Sequence, residues 1–216
     1  MVVYQPQHGF RYGSEVFWLV GFALEGRVAH TAADLGTGSG VAALLLGAQG
    51  IATVGVDLRP EWRACWERSL GESVPSAPVR FVCADVRDWR GEPVDLVVSN
   101  PPFFPRSTGP ASSDAWKAAA RTESTATLRD FLGTALDVLA EAGRACLVLP
   151  VERTLEITAT AKSLGGRTAR RVQVGRRRVL VEVTRAPGPT APVVVLDEHD
   201  QRVRGWYARL GARPAA

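Results

Sequence analysis

From Ala29 onward the chain alternates short apolar runs with stretches of helical character, and this alternation restricts it to a mostly parallel sheet with helices packed on its faces. Runs at Thr31 to Asp34, Thr53 to Asp57, Val79 to Cys83, Leu96 to Ser99 and Ala145 to Leu149 read as strands. Helices are expected in the gaps, near Val41 to Gly47, Glu61 to Leu70 and Leu128 to Glu141. The last of these carries Leu128, Phe131, Leu132, Ala135, Leu136 and Leu139, an i, i+3, i+4, i+7 stripe that suits packing on a sheet. Gly143 is expected to cap it in a left-handed conformation.

A further helix is predicted from Glu152 to Leu164, followed by strands at Arg170 to Val174 and Val179 to Thr184. Gly175-Arg176-Arg177-Arg178 between them reads as a hairpin turn. Pro187, Pro189 and Pro192 break the chain before Val193 to Leu196, and the tail after Asp197 reads as a short helix or loosely ordered. The first 28 residues stand apart from the alternation. Residues 104–121, rich in Pro, Ser, Gly and Thr, read as a mobile loop.

At 216 residues the chain has the length of one compact domain rather than two. Its 46% hydrophobic and 22% charged residues are those of a globular protein and exclude a disordered one. Apolar stretches such as Val16 to Leu24 and Val41 to Ala48 fall short of the roughly 18 to 20 residues a membrane-spanning helix needs. With no basic region followed by an apolar core at the N-terminus, a cytoplasmic protein is the expectation. Cys65, Cys83 and Cys146 are odd in number and lack a CxxC pair, and His8, His30 and His199 are dispersed, so neither a disulfide framework nor a bound metal is expected.

Asp34-Leu35-Gly36-Thr37-Gly38-Ser39-Gly40 follows a predicted strand and opens a predicted helix. Its glycines permit a tight turn and close approach of a nucleotide-type cofactor, while its GxGxG spacing departs from the dinucleotide fingerprint. The acidic residue before the glycines suits a cofactor with an α-amino group. Asp57 closes the next strand 19 residues after Gly38, the distance at which a carboxylate accepts hydrogen bonds from ribose hydroxyls. Asp85 follows the third strand, where it can accept from an adenine amine. Jointly, three strand ends on one carboxyl edge outline an adenosine site.

Asn100-Pro101-Pro102-Phe103 follows Leu96-Val97-Val98-Ser99 and so falls beside the same crevice. An amine conjugated to a ring or a carbonyl is a poor nucleophile because its lone pair is delocalised. The Asn100 side-chain oxygen and the Pro101 carbonyl can accept from both amine hydrogens and favour the pyramidal nitrogen that attacks a sulfonium methyl group. Pro101 and Pro102 stiffen the turn, and Phe103 offers a face on which a planar substrate stacks. Glutamine and adenine satisfy this arrangement equally.

The isoelectric point near 9.3 and net charge of +4 point mildly to a polyanionic partner. Arg167, Arg170, Arg171, Arg176, Arg177 and Arg178 fall within twelve positions, a density that suits either a phosphate-contacting surface or a solvated hairpin.

These motifs, across residues 31–104, resemble the class I Rossmann-like S-adenosylmethionine-dependent methyltransferases. The resemblance implies a mostly parallel seven-stranded sheet with a C-terminal antiparallel hairpin. It implies S-adenosyl-L-methionine as cofactor, held by Asp34, Gly36, Thr37, Gly38, Gly40, Asp57, Leu58, Asp85, Val86 and Asn100, with Asn100, Pro101, Pro102 and Phe103 as the catalytic motif. Two subfamilies carry such motifs: the HemK-type protein glutamine methyltransferases and the nucleic-acid adenine-N6 methyltransferases.

The segment Gln5-Pro6-Gln7-His8-Gly9-Phe10-Arg11-Tyr12-Gly13-Ser14-Glu15 is similar to the opening of the bacterial tRNA adenine-N6 methyltransferases of the valine-tRNA anticodon loop. Ala120-Arg121-Thr122-Glu123 resembles their AR-x-E helix start. The resemblance implies a tRNA partner, contacted by Arg11, Tyr12, Phe103, Arg121, Arg176, Arg177 and Arg178. Protein glutamine and small-molecule amines are the alternative substrates. The expected organisation is one monomeric domain over residues 1–216: a segment at 1–28 covering the site, a cofactor-binding core at 29–150, and a hairpin and tail at 151–216.

Overall fold

The computed structural model describes residues 1–6, 11–102 and 126–213. In chain order these form α1 (Glu15–Leu24), β1 (Thr31–Leu35), α2 (Val41–Ala48), β2 (Ala52–Asp57), α3 (Arg63–Glu72), β3 (Val79–Cys83), β4 (Val94–Ser99), α4 (Leu128–Asp137), β5 (Leu139–Pro150), α5 (Thr154–Ser163), β6 (Arg167–Val174), β7 (Arg178–Thr184), β8 (Val193–Leu196) and α6 (Gln201–Arg209). The strands make one sheet in the order β3-β2-β1-β4-β5-β7-β6-β8. Among the described strands only β7 runs antiparallel to its neighbours, so the mixed α/β fold has a mostly parallel sheet with an antiparallel β6–β7 hairpin.

The sheet has eight strands where seven were expected, because Val193–Leu196 continues past the proline-rich break and pairs in parallel beside β6. The strand order reverses between β1 and β4, which opens a crevice at their carboxyl ends. Leu35 stands opposite both Val56 and Ser99, and Asp57 opposite Cys83, so the ends of β1 to β4 arrive in register.

Both faces of the sheet are covered, which explains the continuous apolar runs of the central strands. On one face Leu35, Val56, Val97, Leu147 and Val181 pack against Leu128, Phe131, Leu132 and Leu136 of α4 and Ile157 of α5. On the other, Ala32, Leu96, Val98, Cys146 and Leu180 meet α1, α2 and α6.

Helix α4 starts at a capping box, in which the Asp130 N–H donates to Thr127 Oγ1 and the Thr127 N–H donates to Asp130 Oδ2. It ends at Asp137, before the expected Glu141. The Val138 carbonyl accepts from the Val94 N–H at 2.8 Å and draws the chain into β5. Gly143 therefore lies within β5, at the register shift between Val94 and Leu96, and is not a left-handed cap. A Cβ there would stand 2.9 Å from the Ala140 carbonyl and 3.0 Å from that of Val94, so the strand needs glycine at this position.

The C-terminal tail is helical and structural. Asp200 caps α6 by accepting from the Arg202 N–H at 2.8 Å, and Val203, Trp206 and Tyr207 are buried. Glu25, after α1, accepts from Trp206 Nε1 (2.6 Å), Arg202 Nη2 (2.7 Å) and Arg170 Nη1 (3.0 Å), which binds α1, α6 and β6 together. Arg144, 2% exposed, donates to the Ala23 and Arg27 carbonyls and so places a cation at the negative end of α1. Among the described residues no helix is long and apolar enough to cross a membrane.

Helices α1 and α6 cross at Gly21, where a Cβ would lie 2.3 Å from that of Trp206. Gly21→Ala is expected to lower the unfolding free energy by about 1–3 kcal/mol, through overpacking of a filled contact. Urea denaturation of the two proteins measures it, and equal stabilities would show that the crossing yields without strain.

Candidate active site at the carboxyl edge

The turn after β1 is held from beneath by β2. The Gly36 and Thr37 N–H groups both donate to the Val56 carbonyl, at 2.8 and 2.9 Å. Gly36 (φ 72°) and Gly40 (φ 85°) adopt left-handed conformations, and ideal Cβ atoms at these positions would fall 3.0 Å from the Phe131 ring and 2.5 Å from the Phe81 ring. Backbone conformation and packing thus both demand glycine.

Asp34 is 3% exposed and accepts from Thr37 Oγ1 at 2.5 Å. Burial, reinforced by the neighbouring Asp57 carboxylate, pushes its pKa up to about 7 against the opposing hydrogen bonds from Thr37 and the Ala43 backbone. Asp57 is 8% exposed, and its Oδ2 accepts from the Gly38 N–H at 2.9 Å while Oδ1 accepts from the Arg59 N–H at 3.1 Å. The Arg59 guanidinium lies 3.6 Å from Oδ1 and over the Trp62 ring. The next residue, Leu58, is exposed at the rim.

Asp85 faces its own turn. Its Oδ1 accepts from the Arg87 N–H (2.9 Å) and Nε (3.0 Å), and Oδ2 accepts from Nη2 (2.6 Å). These bonds with Arg87 hold its carboxyl below the usual carboxylate range. Val86 is buried, and its carbonyl accepts from Thr134 Oγ1 of α4 at 2.7 Å.

At the end of β4 the Ser99 hydroxyl donates to the Leu35 carbonyl at 2.7 Å and fastens the two central strand ends together. Asn100 comes next. Its Oδ1 is buried and has no hydrogen-bond partner among the described residues, an arrangement that costs free energy in the absence of a ligand. Pro101 is buried and Pro102 half-buried. Phe103 and Arg121 lie outside the described residues.

The N-terminal segment is fastened on α3 at Tyr4 and packs beside α1 at Tyr12. The Tyr4 N–H donates to Ser69 Oγ and its hydroxyl to Glu72 on α3, at 2.9 and 2.6 Å. Tyr12 donates its N–H to Gln5 Oε1 and sets its ring edge-on to Phe17, while Arg11 is exposed. At the start of α1, Glu15 pairs with Arg178 at 3.0 Å.

The arginine cluster divides by partner. Arg167 donates to the Ala186 and Pro189 carbonyls, and Arg170 pairs with Glu25 and Glu182 and covers the Phe22 ring. Arg178 engages Glu15. Arg176 and Arg177 are exposed at the β6–β7 turn and share a surface pocket with Asp197, Glu198 and His199.

Three residues at the site were not singled out from sequence. Trp66 of α3 donates its indole N–H to the Gly38 carbonyl at 2.7 Å and stacks on Phe81, and Arg59 and Arg87 each face a site carboxylate. The i, i+4 pair Trp62 and Trp66 marked the inner face of α3, and the Asp85-x-Arg87 spacing marked a side-chain turn.

A family model described as a methyltransferase domain matches residues 33–104, from β1 through the turn after β4. A predicted O-methyltransferase of Agrobacterium tumefaciens superposes with a TM-score of 0.64 at 19% identity, covering 92% of this chain and 98% of that one, a likeness of fold alone. The glycine turn, its acidic neighbours and the switch in strand order accordingly make this molecule an S-adenosylmethionine-dependent methyltransferase. A tRNA1(Val) (adenine(37)-N6)-methyltransferase of Tolumonas auensis is 31% identical over 187 residues, 82% of this chain and 78% of the relative. The chain belongs to that family. The Aeromonas salmonicida member is 32% identical, over 57% of this chain and about half (53%) of its own length.

Asp34 makes a testable statement about pH. Its folded-state pKa lies above the unfolded value, so the folded protein binds this proton more tightly, and stability falls as pH rises through the interval between the two. From about pH 4 to pH 7, the wild type should lose at least about 1 kcal/mol of stability relative to Asp34→Asn. Urea unfolding over this range measures the difference, and a flat difference would show that burial leaves the Asp34 carboxyl at its unfolded-state pKa.

Proposed function

We propose that the protein transfers a methyl group to the exocyclic N6 amine of an adenine in tRNA, the reaction for which its relatives are named. The observation that carries the reading is the buried Oδ1 of Asn100 at the end of β4, without a hydrogen-bond partner among the described residues. The adenine N6 amine has its lone pair delocalised into the ring and two hydrogens to give. Asn100 Oδ1 takes one and the Pro101 carbonyl the other, which favours a pyramidal nitrogen with its lone pair directed outward. The proline pair stiffens these acceptors, so little reorganisation accompanies the reaction.

The donor set fits the cofactor. Asp34, Asp57 and Asp85 give the edge acceptors for an ammonium group, ribose hydroxyls and an adenine amine, and the three turn glycines let a ligand meet the backbone directly. S-adenosyl-L-methionine supplies a methyl group made electrophilic by its sulfonium. Gly36, Gly38 and Asp34 hold the methionine end, with Thr37 and Gly40 shaping the turn. Asp57 has accepted one backbone N–H on each oxygen and retains a lone pair on each for the ribose hydroxyls. Asp85 and Val86 take the adenine, with Leu58 beside its ring.

The N-terminal segment, fastened on α3 at Tyr4 and beside Arg178 at Glu15, covers this edge and presents Arg11 and Tyr12 to the substrate. A flipped-out adenine enters at Asn100, and Arg11, Arg176 and Arg177 hold the phosphate backbone.

Tritiated cofactor with total tRNA tests the reaction. Asn100→Ala is expected to cut transfer by about a hundredfold or more while calorimetry still shows cofactor binding. Unimpaired transfer would remove the amine-activating role, and label appearing in cell protein rather than tRNA would overturn the substrate. Arg176→Ala/Arg177→Ala should reduce the slope of log affinity for tRNA against log salt by about 1 to 2, and an unchanged slope would reject both as phosphate contacts.

A further inference from the structure

We infer that Arg87 is a positioning residue for cofactor base selection: it holds the Asp85 carboxylate in one orientation and leaves a single acceptor direction for the adenine 6-amino group. The inference rests on the reading of Asp85 as the adenine acceptor.

An ionised carboxylate offers about four lone-pair directions. Arg87 fills three of them, with its N–H and Nε on Oδ1 and Nη2 on Oδ2. The remaining lone pair is on Oδ2. The contact is the planar fork that guanidinium makes with carboxylate, which fixes direction as well as charge.

The turn beneath the pair is rigid. The Asp85 carbonyl accepts from the Asp88 and Trp89 N–H groups at 3.1 and 2.9 Å, Trp89 is buried, and the Val86 carbonyl is fastened to α4 through Thr134. The Asp85 carboxylate, with smaller contributions from Asp130 and Asp88, favours the charged form of Arg87. The Asp85 side chain is 14% exposed and that of Arg87 48%, so the acceptor lies inside the edge and its holder toward solvent.

Selection follows from that geometry. Adenine presents a donor at position 6, whereas hypoxanthine presents a carbonyl acceptor. A carboxylate held in place must meet that carbonyl lone pair to lone pair, whereas one able to rotate turns away. An exposed ion pair contributes little to folding, so the holder's effect falls on ligand choice rather than on stability.

The test is calorimetric binding of S-adenosylhomocysteine and S-inosylhomocysteine to the wild type, Arg87→Ala and Asp85→Asn. Arg87→Ala should bind the adenosyl ligand about tenfold more weakly, and its preference for adenosyl over inosyl should shrink by a similar factor, with the thermal midpoint unmoved. Asp85→Asn should abolish the preference. An unchanged preference in Arg87→Ala beside a lost one in Asp85→Asn overturns the assignment of Arg87 alone, as does tighter adenosyl binding in Arg87→Ala, which would make the arginine a competitor. An unchanged preference in Asp85→Asn overturns the adenine reading of Asp85 itself.

Discussion

A carboxyl group with almost no access to water sits at the end of β1, and the carboxyl edge is arranged around it. Burying Asp34 costs free energy, which its bonds to Thr37 and to the start of α2 offset only in part. In return, the side chain ties the strand end to the turn that follows it. The turn must then rise through left-handed conformations, and β2 receives two of its N–H groups on one carbonyl. Phe81 and Phe131, approaching from opposite faces of the sheet, leave no room for side chains at Gly40 and Gly36. Had the register of β1 with β2 and β4 slipped by one residue, Val56, Asp57 and Ser99 would each have faced away from the groups they now hold.

The C-terminal half secures that edge from a distance. Glu25 collects Arg170, Arg202 and Trp206 from two elements that lie far along the chain, and buried Arg144 closes the end of α1. Once α1 is fixed on the sheet, Glu15 at its first turn reaches Arg178, and the N-terminal segment is fastened at both ends. Arginine in this chain therefore acts largely as an internal staple, a role suited to its planar, always charged, many-donor head.

Local patterns were legible in the sequence. The strand periods, the glycine turn and the Asn100-Pro101-Pro102 turn each depend on residues a few positions apart, and among the described residues they appear where the spacing placed them. Features that depend on distant partners were not legible. Val193 to Leu196 becomes a strand because β6 has an edge to offer, and α4 ends early because Val94 claims the Val138 carbonyl. The six arginines between 167 and 178 read as one basic stripe. The alternation of strand faces and partners 145 to 163 residues away divides them, so that Arg170 and Arg178 serve the interior. Asn100 could be named from its motif, whereas the hold of Arg87 on Asp85 needed the turn geometry to be seen.

The resulting edge holds two functional groups of residues some distance apart. The ends of β1, β2, β3 and β4 carry Asp34, Asp57, Asp85 and the Asn100 oxygen, a row of acceptors suited to a cationic cofactor and an amine. The turn between β6 and β7 carries Arg176 and Arg177, two to three strands farther along the same edge, or roughly 10–15 Å at ordinary strand spacing. Each end carries both signs, with Arg59 and Arg87 against Asp57 and Asp85, and Asp197 and Glu198 beside Arg176 and Arg177. What the strand order sets is the span between the Asn100 acceptor and the two exposed arginines of the hairpin. A base flipped out of a nucleic acid bridges such a span, with its amine at Asn100 and its phosphates over the turn.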